Sequence, residues 1–316
     1  MTWITGIKLS LFHWLVCWFH GLYVYQMVGR VRKMKNLICL AAATSLSLGA
    51  YASDLGVPAN SSQFKEILKV SKLQMSDPNG KPGNKKDYAS KGEFDGVVFE
   101  HFYLDEPTQA LVFKMAGYKN RSEIRVNDNF KIDEPSKYHH LSAEFMPINP
   151  RDSVKNSEKK RDEMTYLQVH NKGTYYDGKQ GSHGEGYIPH PLVRVVYDAN
   201  RSGKTDWYWA IIKNNAVNCS SKSGNKGSAE CKKAYIKLPL GPIAEKGSDK
   251  FDIYVGNQRL IINHNDSTVV NHDISYWKDM VSYYKAGVYN QFKNGESEAH
   301  FYKLAYSIKN KPVITD

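Results

Sequence analysis

Three short segments of the sequence place rows of large polar groups on one side of predicted strands. The segments are RSEIR (121–125), LQVH (167–170) and YYKAGVYNQ (283–291). Side chains alternate between the two faces of a strand, so one face of each segment carries functional groups: Arg121, Glu123 and Arg125; Gln168 and His170; Tyr283, Lys285, Tyr289 and Gln291. Guanidinium, ammonium and amide groups bind anions, whereas imidazole and phenol groups can move protons. The rows favour a functional groove. A solvent-facing surface with a local ion pair is the alternative, since spacing alone does not show that the strands adjoin.

The elements that must position these rows are strands. From Gly96 onward, about a dozen short runs rich in Val, Ile, Tyr, Phe and Trp are separated by turn-forming clusters. This pattern predicts an all-β sandwich or barrel. FDIYV and RLIIN, joined through Gly256-Asn257, predict a hairpin.

The domain organisation is read from the same change in composition. Residues 53–92 are polar and predict an N-terminal lead whose one short helix covers Ser62 to Leu73. Residues 93–316 contain neither a linker nor a repeat of 20–50 residues, which predicts a single β domain.

The charge balance suits a polyanionic partner, but by itself it leaves nucleic acid, anionic polysaccharide and plain solubility open. The chain has 43 Lys and Arg against 32 Asp and Glu, a formal net charge of +11. Five of the basic residues precede Ser53 and no acidic ones do, so a chain beginning there carries +6. The lack of Lys/Arg-rich runs with interleaved aromatic residues disfavours a nucleic-acid binder.

The N-terminal 52 residues read as a targeting segment. Residues 34–52 combine a short basic start, an apolar core and an Ala-x-Ala end, the pattern of a secretory signal cleaved after Ala52. Residues 1–33 then read as an over-extended start, with a hydrophobic membrane anchor as the alternative. We expect a secreted or periplasmic mature chain without stable membrane association, and a monomer.

Two cysteines remain after Ala52. Cys219 and Cys231 flank a Ser/Gly/Lys-rich loop, which in an exported chain predicts one disulfide closing a hairpin. The loop offers no further soft metal ligands, so a metal site there is disfavoured.

Other candidate sites have weaker support in the sequence. No ExDxE pair of carboxylates for glycoside hydrolysis is present. Four of the histidines outside the motifs lack metal-ligand spacing and are interpreted as structural: His139, His140, His264 and His272. Trp207 and Trp209 share a strand face and are interpreted as core rather than as a sugar platform. The glycine-rich stretch 172–186 is either a loop over the groove or an ordinary hairpin loop.

RSEIR, QVH and YYKAGVYNQ together resemble, in the same order, the three signature segments of the polysaccharide lyase family 7 alginate lyases. The family's third motif usually reads YFKxGxYxQ, so Tyr284 stands here in place of its Phe. The resemblance implies a β-jelly-roll of two curved antiparallel sheets, with the substrate, alginate, on the concave face. It also implies metal-independent cleavage by β-elimination, for which we expect endo action and no cofactor. A non-catalytic jelly-roll module that binds acidic polysaccharide is the alternative function.

The resemblance also assigns roles to the polar rows. β-Elimination removes the C5 proton of a uronate and expels the 4-O-glycosidic oxygen, so the carboxylate must be neutralised and a base and an acid supplied. Arg121, Gln168 and His170 are the donors to the carboxylate, and Tyr289 is base and acid for mannuronate, with His170 as base for guluronate. The remaining groove residues are expected to orient groups or bind sugar: Glu123, Arg125, Tyr283, Lys285 and Gln291.

In this family the middle residue of Q-[IV]-H is associated with substrate preference. Val169 occupies it here, which predicts faster cleavage of mannuronate-rich blocks. Val169 points away from Gln168 and His170, so it can act only by packing behind the strand.

Overall fold

The computed structural model describes residues 55–154, 163–174, 188–201, 203–221 and 223–315. The predicted signal peptide, the segment before it and most of the glycine-rich stretch 172–186 lie outside these residues.

Sixteen strands among the described residues, numbered in chain order, form two antiparallel sheets of eight. The outer sheet contains, in spatial order, β1 (Leu55–Gly56), β4 (Phe102–Asp105), β5 (Ala110–Ala116), β16 (Glu296–Lys309), β7 (Tyr138–Pro147), β12 (Asp249–Gly256), β13 (Arg259–His264) and β14 (Ser267–Asp273). The motif sheet contains, in spatial order, β11 (Tyr235–Pro242), β10 (Lys204–Lys213), β9 (Val193–Arg201), β8 (Glu163–Thr174), β15 (Met280–Asn290), β6 (Arg121–Val126), β2 (Ser71–Met75) and β3 (Lys86–Tyr88). The predicted all-β jelly-roll sandwich is confirmed.

The core lies between the two sheets and follows from the two-residue period of the strands. Phe145 of the outer sheet contacts Tyr166 and Tyr208 of the motif sheet, with ring centroids 5.0 and 5.9 Å apart. In β8 the buried Leu167 and Val169 face this core. Gln168 and His170 therefore project from the opposite face, as the alternation predicted.

Helical structure is sparse and short. The three α-helices among the described residues are Lys65–Lys69, Pro150–Val154 and Ala229–Lys232, and two 3-10 turns cover Pro58–Asn60 and Ser275–Trp277. In the same part of the chain, no helix is long and apolar enough to cross a membrane.

The predicted helix over Ser62 to Leu73 is too long. Helical structure ends at Lys69, and Val70 is 40% exposed. The chain from Ser71 onward pairs with β6 as strand β2. Sheet pairing therefore overrides the local helical spacing, because the register with β6 buries Leu73 in the core.

The expected division at residue 92 does not match the sheet pairing. Strands β1, β2 and β3 all precede it, yet β1 pairs with β4 and β2 pairs with β6. Residues 55–92 therefore add strands to both sheets instead of forming a separate lead.

The predicted hairpin is present with its turn shifted by one residue. Gly256 pairs with Arg259, and the two turn residues are Asn257 and Gln258, both with positive φ. This is the dihedral pattern of tight two-residue hairpins. A Cβ at Gly256 would overlap the carbonyl oxygen of Lys137, which directly precedes β7. The glycine is therefore needed because the two chains lie so close together, and not because of the turn.

Candidate active site

The three motif segments lie on adjacent strands. β15 runs between β8 and β6 in the motif sheet. In register, Tyr289 lies opposite Arg121, and Lys285 lies opposite Arg125 on one side and Gln168 on the other. The polar rows that the sequence placed on separate strands therefore form one surface.

Glu123 is the centre of a buried hydrogen-bond network on this surface. Gln168 Nε2 donates to Oε1 of Glu123, and Lys285 Nζ donates to Oε2. Arg121 Nη1 lies 3.5 Å from the same Oε2. A carboxylate only accepts hydrogen bonds, so it fixes the Gln168 amide with its NH₂ group toward Glu123. Glu123 thus positions groups from all three motif strands.

Two arginines stack on two tyrosines along the surface. The Arg121 guanidinium carbon lies 4.2 Å from the ring centroid of Tyr289, and that of Arg125 lies 3.9 Å from that of Tyr283. The Tyr283 ring also stacks on His170, with centroids 5.3 Å apart and planes inclined by 15°. These contacts hold the rings of both tyrosines in fixed orientations.

His170 is neutral and offers its Nε2 as an acceptor. Its Nδ1 lies 2.9 Å from the carbonyl oxygen of Asn171, which only accepts, so Nδ1 carries the hydrogen. Burial, together with the nearby Lys285 cation, lowers the pKa of His170 from 6.5 to about 3. Near neutral pH the ring is therefore uncharged, with a lone pair on Nε2.

Lys285 carries a buried amine beside Glu123. Its side chain and that of Glu123 are each 1% exposed. Burial lowers the pKa of Lys285 from 10.5 to about 7, although the attraction of Glu123 opposes this shift. Lys285 and Glu123 lie beneath the surface and hold the groups above them.

Gly287 of the third motif is required by a close approach of strands. It pairs with Glu123 at a φ of 138°, and a Cβ there would overlap the carbonyl oxygen of Ser122. The register of β15 with β8 shifts between Ala286 and Tyr289. The glycine therefore sits at the irregularity that precedes Tyr289.

A cavity of about 620 Å³ opens over the surface. Five of the nine predicted groove residues line it: Arg121, Gln168, His170, Tyr289 and Gln291. Glu123 and Lys285 support it from below. Tyr283 stacks on His170, which lines the cavity, and Arg125 stacks on Tyr283.

The cavity continues onto strands that the sequence analysis did not select. Arg194 of β9 and Lys237 of β11 line it. Gln168 pairs with Arg194, and Ile211 pairs with both Arg194 and Lys237, so these residues form one row across the sheet. Arg194 Nη1 lies 3.1 Å from Glu163 Oε2, so this cation is paired inside the cavity wall. The sequence could have indicated Arg194 as a cavity residue, since it interrupts the apolar run PLVRVVYDA at a position facing away from the core.

Trp207 and Trp209 do not belong to the core between the sheets, contrary to the expectation. Their neighbours Tyr208 and Ala210 face that core. Trp209 packs in a separate cluster on the cavity side of the motif sheet, and the half-buried Trp207 packs against it with the Lys204 ammonium 4.0 Å from its ring. The two-residue period of the strand correctly predicted that Trp207 and Trp209 share a face. The prediction that this face is the one toward the core was wrong.

The predicted disulfide is present. Cys219 and Cys231 are bonded across the loop between β10 and β11. Among the described residues, no group of three or more His, Cys, Asp or Glu side chains is arranged to hold a metal ion.

The chemistry available at the site is acid–base chemistry on an anion. Arg121 and the Gln168 amide are donors for a carboxylate, and the row of cations extends this preference along the cavity. His170 Nε2 is a proton acceptor, and the Tyr289 hydroxyl can serve in proton transfer.

Known proteins resemble this chain over most of its length. Residues 68–308 match the alginate lyase family model Alginate_lyase2. A curated alginate lyase from Photobacterium sp. (strain ATCC 43367) is 48% identical over 262 residues, which cover 81% of this chain and 90% of the relative.

Solved structures show the same similarity. Alginate lyase AlyC3 is 47% identical with a TM-score of 0.77, covering 81% of this chain and 96% of its own. A second AlyC3 structure, in complex with dimannuronate, is 46% identical with the same TM-score, covering 82% of this chain and 96% of its own. Alginate lyase A1-II′, a member of polysaccharide lyase family 7, is 19% identical with a TM-score of 0.55, covering 77% and 96%, and shares the fold.

Proposed function

Because this chain belongs to the alginate lyase family, we propose that its β-elimination takes place at the cavity where Arg121, Gln168, His170 and Tyr289 meet. The family expected from the three motifs is confirmed, and the chain is a polysaccharide lyase rather than a non-catalytic binding module. The observation that carries the assignment of the site is the Glu123 network, which joins all three motif strands beneath one cavity.

Arg121 and Gln168 act on the uronate carboxylate. Removal of the C5 proton beside an ionised carboxylate would create two negative charges, so donors must neutralise the carboxylate and the enolate-like charge that develops. The Arg121 guanidinium and the amide of Gln168 are held in place for this by Glu123.

Tyr289 transfers the proton when the sugar is mannuronate. Its phenolate takes the C5 proton, the C4–O bond breaks as the C4=C5 double bond forms, and the phenol returns the proton to the leaving oxygen. Its ring is stacked on the guanidinium of Arg121, the group that binds the carboxylate.

His170 acts as the base when guluronate presents its C5 proton from the opposite face, and the Tyr289 phenol then gives its proton to the leaving 4-O oxygen as the C4–O bond breaks. The neutral ring with a free lone pair on Nε2 supports this role. Neutralisation of the carboxylate by His170 would require a protonated Nε2, so we assign that task mainly to Arg121 and Gln168.

The assignment is tested by Tyr289→Phe. One group that serves two proton transfers should contribute at least about 10²-fold to kcat, measured by the ultraviolet absorbance of the unsaturated product. Tyr283→Phe, on the same face of the same strand, is the matched control and should cost far less. A Tyr289→Phe enzyme that keeps more than about a tenth of kcat contradicts the role.

We further propose a preference for mannuronate-rich blocks. The AlyC3 complex with dimannuronate, from a protein 46% identical to this one, supports it. Val169 is fully buried and lies opposite Tyr284 and Val193, so its size can shift the strand that carries Gln168 and His170. Initial rates on purified block polymers test this preference, and Val169→Ile should move the ratio toward polyguluronate. A several-fold preference of the wild type for polyguluronate overturns it.

Endo action is proposed because polar lining residues continue on both sides of Tyr289. Lys119 lies on the loop before β6, whereas Arg194 and Lys237 lie on strands beyond β8. An endo enzyme should lower the viscosity of alginate well before reducing ends accumulate. Strict release of single small products contradicts it.

Export is proposed from the sequence of residues 34–52 and supported by the disulfide, which is typical of oxidising compartments. N-terminal sequencing of protein recovered from the medium or periplasm should begin at Ser53. We also propose that the mature chain is a monomer, which light scattering tests.

A further inference from the structure

A second polar constellation lies on the opposite side of the molecule from the lyase cavity. The outer sheet carries a cavity of about 520 Å³ on the face that points away from the core. His140 of β7, Asp252 of β12 and Ser307 of β16 line it, and these three strands are adjacent in the sheet. Leu141 and Ile253, the sequence neighbours of His140 and Asp252, face the core, and so does Leu304, which lies three residues before Ser307 on the other face of β16.

The three side chains form a continuous hydrogen-bond chain. Ser307 Oγ lies 3.3 Å from His140 Nδ1, and His140 Nε2 lies 2.8 Å from Asp252 Oδ1. Ser307 is directly opposite His140 in the register of β16 and β7. The Tyr254 ring stacks on the imidazole at a centroid distance of 4.1 Å with planes 3° apart, and this fixes the ring plane.

The hydrogen-bond partners determine which atoms carry the protons. The carboxylate of Asp252 only accepts, so in the neutral imidazole His140 Nε2 carries the hydrogen and Nδ1 has the lone pair. Ser307 therefore donates its hydroxyl hydrogen to Nδ1. Burial opposes ionisation of Asp252, but the hydrogen bond from His140 keeps its pKa below the ordinary value. A serine paired with a histidine that a carboxylate orients is the arrangement of an activated nucleophile.

The surroundings of Ser307 are cationic. Lys303 and Lys309 lie on the same face of β16 as Ser307, are exposed, and line the same cavity. Lys250 of β12 adds a third ammonium, 3.6 Å from Asp252 Oδ2 and 2.6 Å from Asp266 Oδ1. Such cations attract an anionic substrate and can stabilise negative charge on a carbonyl oxygen.

We propose that Ser307, His140 and Asp252 form a second active site, which hydrolyses short-chain carboxylic esters, with esters carried on an anionic molecule as its best substrates. Ser307 Oγ attacks the carbonyl carbon while its proton passes to His140 Nδ1. The ester C–O bond then breaks, and the alcohol leaves with that proton. Water attacks the acyl-Ser307 and gives a proton to His140, which returns it to Ser307 Oγ as the carboxylic acid departs. No oxidant, metal or further reactant is needed.

The ring nitrogens exchange the roles that they have in the common serine hydrolases, where Nε2 faces the serine and Nδ1 the carboxylate. Either nitrogen of a neutral imidazole can be the base provided that the other holds the hydrogen. This proposed role differs from the structural one that the sequence predicts for His140.

The experiment compares the hydrolysis of p-nitrophenyl acetate by the wild type, Ser307→Ala and Ser62→Ala. Ser62 is an exposed serine outside the cavity and is the matched control. We expect about a 10²-fold loss of kcat/KM in Ser307→Ala and in Asp252→Asn, and no loss in Ser62→Ala. Ser307 lies on the opposite sheet from the lyase cavity, so Ser307→Ala should keep its alginate cleavage, which also confirms that it folds.

A second measurement locates the chemistry on the chain. A fluorophosphonate should label the peptide that contains Ser307 in the wild type and in Tyr289→Phe, but not in Asp252→Asn. Equal esterase rates in the wild type and Ser307→Ala overturn the proposal, and so does labelling confined to another residue.

Discussion

Lys285 carries a buried charge whose effect on stability can be measured. Its ammonium donates to the equally buried Glu123, and burial lowers its pKa from 10.5 to about 7. In the unfolded chain the amine is hydrated and returns to its ordinary pKa. Between about pH 7 and pH 10.5, the unfolded chain therefore binds one proton more at this position than the folded protein does.

The free energy of unfolding should consequently rise with pH across this window. The slope contributed by Lys285 is about 1.4 kcal/mol per pH unit wherever the unfolded chain holds the proton and the folded protein does not. Below the folded-state pKa both states hold the proton, so the contribution of Lys285 no longer changes with pH. The penalty for burying the charge is then at its largest.

Urea unfolding of the wild type and Lys285→Met at several pH values isolates this contribution. Met has a similar length and no charge, so the wild type should gain about 1.4 kcal/mol per pH unit relative to the variant. Lys303→Met, which removes an exposed lysine from the outer sheet, is the matched control and should follow the wild type in parallel. Parallel curves for Lys285→Met would show that burial does not discharge this lysine, and the account of the Glu123 network would fail.

Three further results are expected. The ¹⁵N shifts of His170 should report a neutral ring with hydrogen on Nδ1 at pH 5, because its pKa is about 3. The free energy of unfolding should fall as the pH drops below 6.5, because the unfolded chain then binds a proton at His170 that the folded protein does not. A charged ring at pH 5 contradicts this. Replacing Cys219 and Cys231 by serine should lower the free energy of unfolding by about 3 kcal/mol, because the bond closes a loop with a sequence separation of 12. The thermal midpoint should change more than the lyase rate. Two free thiols in the denatured, unreduced protein would refute the bond. Tyr284→Phe should cost about 1 kcal/mol, because its buried hydroxyl lies 2.8 and 3.0 Å from two carbonyl oxygens of the outer sheet; an unchanged unfolding midpoint would show that this bond contributes nothing.

The parts of the structure that the sequence predicted are those set by local alternation and motif identity. Period 2 separated Gln168 and His170 from Leu167 and Val169, because one strand face must be buried. It could not decide between faces for Trp207 and Trp209, since an aromatic pair packs equally well in the core or on the far side of the sheet. The helix ending at Lys69 was overestimated because the pairing partner of Ser71–Met75 lies far along the chain.

The ester-hydrolysis site shows most clearly what local patterns miss. His140 and Ser307 are 167 residues apart in sequence, and Asp252 is 112 residues from His140. Each looks like an ordinary polar residue on a solvated strand face, and only the strand order β16–β7–β12 and its register bring them into contact. The lyase site is equally long-range, with Gln168 and Glu123 45 residues apart and Lys285 and Glu123 162 apart. That site could be anticipated because its residues stand in a recurrent motif. The ester-hydrolysis site has no such motif in the sequence, so its assignment rests on the sheet register and the hydrogen-bond chain alone.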